Sequence, residues 1–297
     1  MASYLIYTDA AVDLPDEAYR RFGIRVIPMD YMVNGESFTY YADQPDREEV
    51  CRALYAAQRQ GAEVRTSQIS PFRFREAWKE ELKAGHDILF IGFSSGLSTT
   101  CANAHTTAME LSEKYPERKI RVVDSLAATS GQGVYVWTAA LNRDEKGMSL
   151  EENAAWLETH ARNLCHFFTV GDLDYLHRGG RVSAAVALIG GILEIKPLMI
   201  IDNEGKLQVV GKATGKHMAL RSIVKHFRAQ MGLEGAPNLV YVTHSANDED
   251  LPFLKEKLEA AMGPDTHIEY MLQSPIIGAH TGPWFFSVCG WGKTRIP

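Results

Sequence analysis

In the first half of the chain, apolar residues follow two alternating rhythms. Short, mostly apolar runs at Tyr4–Tyr7, Ile88–Ile91 and Ile120–Asp124, with a further extended run at Arg25–Met32, have the length and character of buried strands. Pro15–Phe22, Arg47–Arg59, Pro71–Lys83, Ser98–Lys114 and Gly131–Arg143 instead repeat apolar positions at helical spacing. Alternating strands and helices with apolar strands predict a parallel sheet covered by helices on both faces. Glu151–Asn163 reads as a linking helix. Beyond it, Phe167–Val170, Lys196–Ile201, Lys206–Val210, Leu239–Thr243 and His267–Leu272 are strand candidates, separated by helices Arg181–Leu193, His217–Met231 and Asp250–Met262. Asn203-Glu204-Gly205 is the expected hairpin turn between the second and third of these strands. The pattern predicts two α/β domains, residues 1–163 on a parallel sheet and residues 164–297 on a mixed sheet.

The most informative segment is Ile88–Ala104, where an apolar run ends in Gly92-Phe93-Ser94-Ser95-Gly96 and small, helix-compatible residues follow. It predicts a strand, a tight turn and a helix whose first turn carries hydroxyls. Such a turn leaves backbone N–H groups facing outward at the positive end of a helix dipole, a natural anion receptor. Ligands of parallel α/β sheets bind beyond the carboxyl ends of the strands. Thr8-Asp9, Ser94-Ser95 and Asp124-Ser125 all fall at that edge.

Composition narrows the function classes. Apolar residues make up 45% and charged residues 23% of 297, within globular norms, and the net charge of −6 without a Lys/Arg cluster argues against nucleic acid as a partner. The four cysteines, Cys51, Cys101, Cys165 and Cys289, form no C-x-x-C pair, and the ten histidines form no metal-ligand spacing; no metal or cofactor is expected. The N-terminus runs directly into a strand without a basic segment, and Val182–Leu193, the longest charge-free apolar stretch, is too short to span a bilayer. The expectation is a cytoplasmic protein without a transmembrane segment.

Gly92-x-Ser94-x-Gly96 between a strand and a helix matches a serine-hydrolase nucleophile elbow, and Ser94, Asp124 and His280 follow the chain order of that fold's triad. Against this, Asp124 comes only one helix after Ser94, and no His-Gly-Gly segment for an oxyanion hole precedes it. Gly290-Trp-Gly-Lys-Thr294 lacks the earlier glycine of a phosphate-binding loop, with Ser287 in its place, and Gly131-x-Gly133 lacks the third glycine of a dinucleotide fingerprint. Gly179-Gly180-Arg181 places a guanidinium where backbone can approach closely, and Ile277–Pro283 sets His280 among turn-forming residues.

Taken together, these segments resemble the DegV family of fatty-acid-binding proteins, which includes the lipid-carrying subunit of bacterial fatty acid kinase. The resemblance rests on Thr8-Asp9 with Asp13-Leu14-Pro15, Thr66-Ser67-Gln68-x-Ser70, Ser94-Ser95-x-Leu97-Ser98-x-Thr100, Val123-Asp124-Ser125, Asp172 through Gly179-Gly180-Arg181-Val182-Ser183, Lys196-Pro197, and Gly278-Ala279-His280-Thr281-Gly282-Pro283. These pieces occur in order over nearly the whole chain. Ala10 replaces the usual Ser, Thr99 a Gly, and Trp284 the closing Gly; Thr214 stands near a customary Arg.

The resemblance implies a long-chain fatty acid as ligand, its carboxylate held by Thr66, Ser94, Ser95 and His280, with Arg181 at the lip for partner docking or charge offset. It implies an apolar tunnel between the domains, for which Phe93, Met199 and Trp284 are candidate lining residues. Trp284 is expected beside His280, narrowing the pocket mouth. It further implies no catalytic residue in this chain: a separate ATP-binding kinase subunit phosphorylates the presented carboxylate to an acyl phosphate. The alternatives are a serine esterase using Ser94, Asp124 and His280, and a sensor of a small anion.

Overall fold

The computed structural model describes residues 4–183 and 194–296. In the first half, strands β1 (Tyr4–Asp9), β2 (Arg25–Ile27), β3 (Met29–Val33), β4 (Glu36–Tyr40), β5 (Val64–Thr66), β6 (Asp87–Gly92) and β7 (Ile120–Asp124) alternate with helices α1 (Asp16–Phe22), α2 (Arg47–Arg59), α3 (Pro71–Lys83), α4 (Thr100–Lys114), α5 (Thr129–Asp144) and α6 (Leu150–Thr159). The expected parallel sheet is present, in the order β2-β1-β6-β7. Its register aligns Thr8 with Ile91 and Gly92 with Asp124, so the three polar pairs end at one edge.

The extended run Arg25–Met32 is not one strand. Pro28, with no N–H to donate, interrupts it. The part before Pro28 joins the parallel sheet, and the part after it becomes the centre of a separate antiparallel sheet, β4-β3-β5. Asn34-Gly35 closes the β3–β4 hairpin with φ of 50° and 88°. That dipeptide is a hairpin signal in its own right, and it lies outside the predicted elements.

The second half carries β8 (Leu164–Val170), β9 (Ile195–Ile201), β10 (Leu207–Thr214), β11 (Leu239–His244), β12 (His267–Leu272) and β13 (Phe285–Trp291), with helices α7 (Asp174–Arg178), α8 (Lys216–Gln230), α9 (Leu251–Met262) and α10 (Pro275–Thr281). Its sheet runs β10-β9-β8-β13-β11-β12, antiparallel except for the β11–β12 pair, which is the expected mixed sheet. The expected helix Arg181–Leu193 lies, after its first three residues, outside the described residues. One expectation near the C-terminus is corrected, and one strand there was not predicted. The region Ile277–Pro283 is mostly helix, begun by Pro275 in the first turn and ended by Gly282 at φ 80°. The segment leading into Gly290–Thr294 is a fully buried central strand, β13, between β8 and β11.

Side chains alternate across the large sheet. Phe167, Leu198 and Ile200 pack under α8 and α9, whereas Phe168, Met199 and Ile201 belong to a core continuous with the first half. Helix α5 lies between the two sheets, with 13 of its 16 residues buried. A helix enclosed on all sides has no polar face to show. Its glycines permit this approach: a Cβ on Gly133 would lie 2.2 Å from the Asp13 carbonyl oxygen. Among the described residues, no helix is long and apolar enough to cross a membrane.

Candidate functional site

The turn after β6 is braced from every side. Asp9, fully buried, accepts from the Phe93 N–H through Oδ2 at 2.7 Å and from Ala11 N–H and Gln132 Nε2 through Oδ1. Asp124 Oδ1 accepts from the Ser95 and Leu126 N–H groups at 3.2 and 2.9 Å. The Ser94 N–H donates to the Ala127 carbonyl, Gly96 N–H to Ser94 Oγ, and the Leu97 and Ser98 N–H groups to the Ser94 carbonyl. The backbone donors of the turn itself, Phe93 to Ser98, are therefore already occupied.

Of the two serines, Ser94 is turned away. It is completely buried, and its Oγ donates to the Gly205 carbonyl at 2.7 Å. That bond docks the turn onto the β9–β10 hairpin, and a Cβ on Gly96 would lie 2.6 Å from the Glu204 and Gly205 carbonyl oxygens. Ser95 instead is exposed and lines a cavity of about 470 Å³ between the two halves of the chain. Thr66, Ser67, Gln68, Ser98 and Thr99 contribute further polar groups to its wall, and Phe93, Leu97, Phe168, Ile201, Ile276 and Phe285 contribute apolar ones. This volume lies within the ~300–1,000 Å³ range of small-molecule sites.

His280 reaches this wall from α10. Its Nε2 is 2.8 Å from Thr66 Oγ1, while Nδ1 is buried, without a hydrogen-bond partner among the described residues, against Gly179, where a Cβ would lie 2.4 Å away. Burial, with the nearby Arg181 charge, pushes its pKa down to about 3, so the ring is neutral at pH 7. Arg181 lines the same cavity, half-buried, and donates to the Gly179 carbonyl. Burial pulls its pKa below the ordinary arginine value. It also borders a smaller cleft with Gly96, Leu97 and Lys206.

The expected residues thus divide. Thr66, Ser95, His280, Arg181 and Phe93 share one cavity. Ser94 does not join it, and the esterase triad is not assembled: Ser94 bonds Gly205, Asp124 holds the turn, and His280 faces Thr66. Met199 is buried in the sheet away from the cavity wall. Trp284 is corrected most sharply. It packs in the other core, under α8 and α9, with Nε1 donating to Asp250 Oδ2 at 2.8 Å and the Lys196 and Lys216 ammonium groups 5.8 and 5.7 Å from its ring centre. Strand alternation puts Trp284 and Phe285 on opposite faces, so the apolar wall residue is Phe285. Ser67, Gln68, Ser98 and Thr99 were visible as polar residues beside the named motifs. His166 and Ile201 were not, because only sheet pairing brings them to the cavity.

Comparison with known proteins decides the family. A family model described as "Uncharacterised protein, DegV family" matches residues 3–291. The chain belongs to the DegV family. A DegV domain-containing protein of Clostridium perfringens is 35% identical to it over 298 residues, covering 100% of each chain. The solved structure of a fatty-acid-binding DegV protein from Thermus thermophilus superposes with a TM-score of 0.83 at 29% identity, covering 98% of this chain and 100% of that one. A stearic-acid-binding protein from Eubacterium ventriosum, at 23% identity, shares the DegV fold with a TM-score of 0.80 over 96% and 98% of the two chains.

Proposed function

We propose that this DegV protein binds a long-chain fatty acid between its two domains, residues 1–163 and 164–297, and presents the carboxylate in the cytoplasm to a separate ATP-dependent kinase subunit. The observation that carries the reading is one cavity with hydroxyls and a neutral imidazole at its exposed side and aromatic and aliphatic walls within. The carboxylate accepts from the Thr66 and Ser95 hydroxyls, with His280 fixing the Thr66 rotor and Arg181 offsetting charge at the lip. The apolar interior takes the tail. About 14 methylenes at ~0.8 kcal/mol each give a gross ~11 kcal/mol, a ceiling before ordering costs. Affinity comes from the tail and head-group choice from the hydroxyls. Because Ser95 and Thr99 are exposed, a carboxyl group held there stays within reach of a phosphorylating partner.

Mass spectrometry under native and then denaturing conditions tests this directly. One fatty acid lost per chain on unfolding is the expected result. Ser95→Ala and Thr66→Ala should each weaken oleate binding by about 2 kcal/mol. A native mass equal to the polypeptide, with added oleate and palmitate both failing to bind, would overturn the reading. Ser94→Ala, by contrast, should cost about 1 kcal/mol of stability and leave oleate bound. Covalent capture of Ser94 by a fluorophosphonate would instead restore the esterase.

A further inference from the structure

The cavity interior holds a polar group that the head-group site does not use. His166 on β8 lines the cavity, is 1% exposed, and has no hydrogen-bond partner for its imidazole among the described residues. The ring is fixed in place. It stands edge-on to Phe168 at 5.7 Å and 68°, and Gly131 lies against it so closely that a Cβ there would be 2.7 Å from Nδ1. Thr129, two residues before Gly131, lines the same cavity, and its hydroxyl bonds those of Ser130 and Thr243.

Position along the sheet separates this group from the carboxylate site. β13 pairs Phe285 with Val170 and Cys289 with His166. The imidazole therefore lies four residues, about 14 Å, along the strand from the Phe285 end, which follows α10 and His280. An acyl chain entering from the His280 side meets His166 part-way along its length.

A neutral imidazole offers one donor and one acceptor. Its pKa is pushed down to about 3 by burial, with the Arg295 charge adding to the effect, so it is neutral in the cell's pH range. A plain methylene tail filling the cavity excludes water and leaves both nitrogens unpaired, whereas an oxygen on the chain satisfies one of them. Sites built around a buried polar group discriminate strongly against ligands that leave it unmatched. We propose that His166 makes this cavity selective for acyl chains bearing a mid-chain oxygen, a hydroxyl or keto group, over plain hydrocarbon tails.

The inference rests on the fatty-acid reading above, and ricinoleate against oleate tests it, since the two differ by one mid-chain hydroxyl. Titration of the delipidated protein should give about five- to tenfold tighter binding of ricinoleate. His166→Leu should abolish the ratio while oleate still binds, and His166→Gln, which keeps a donor and an acceptor, should retain part of it. Equal affinities in the wild type, or a ratio that survives in His166→Leu, overturns the proposal and leaves fatty-acid binding standing. Failure of both lipids to bind the wild type overturns the two readings together.

Discussion

Arg295→Met is expected to lower the unfolding free energy by about 3–5 kcal/mol, because four carbonyls lose their donor and each unmade buried hydrogen bond costs about 1–3 kcal/mol. Arg295 is 0% exposed, and its guanidinium donates to carbonyls in three separate places. It holds Leu126 and Ser125 in the β7–α5 turn, Ala161 in the 3-10 turn after α6, and Asp202 in the β9–β10 hairpin. Methionine is shorter and has no donor, so the carbonyls lose their partner while most of the apolar stem's space stays filled. Arg295→Lys should recover only part of the loss, because an ammonium cannot span carbonyls so placed. Urea denaturation of the three proteins reads this out. A Met variant within 1 kcal/mol of wild type would mean that the guanidinium does not hold the two halves together.

Acidification is expected to expose a balance between two sets of buried groups. Burial holds His166 and His280 near pKa 3 and His244 near 4, so the unfolded chain, with histidines near 6.5, binds protons more tightly than the folded one. Each imidazole therefore loses about 3 kcal/mol of stability as pH falls from 7 to 4. Burial raises Asp9 to about 6 and Asp13 to about 7, and there the sign reverses. The folded state takes up those protons first, so each carboxyl gains about 2–3 kcal/mol over the same window. The wild type should lose only about 3 kcal/mol between pH 7 and 4. His280→Gln should make the profile nearly flat, and Asp13→Asn should roughly double the loss. Urea midpoints for the delipidated proteins at both pH values decide it. A His280→Gln profile parallel to wild type would show that this ring is not held neutral.

Much of the site was legible because local rules place it. Strand β6, the small-residue turn and α4 follow from an apolar run ending in glycine and serines, and Thr66, Ser95 and His280 sit in short motifs whose order survives in the chain. Pro28 and Asn34-Gly35 also carried their signals locally, one ending a strand and the other closing a hairpin. The last strand was harder to read. β13 is apolar but for Ser287 and buried on both faces, so it has no two-residue alternation to mark it. Helix α10 was hidden by glycine: Gly278 reads as a turn former, yet it stands in a helix because a Cβ there would lie 2.4 Å from the Tyr55 hydroxyl oxygen.

The sequence by itself determined the alternation of strands and helices, the polar pairs at the carboxyl edge and the family, because periodicity, turn chemistry and motif order are properties of neighbouring residues. Only the tertiary structure decided which serine faces the cavity, where Trp284 points, and where Arg295 and His166 are buried. Those outcomes depend on the β9–β10 hairpin docking against the turn after β6, and on sheet pairing that brings together residues more than a hundred positions apart. No local pattern encodes such a contact, because the partner that fixes each side chain arrives from the other half of the chain.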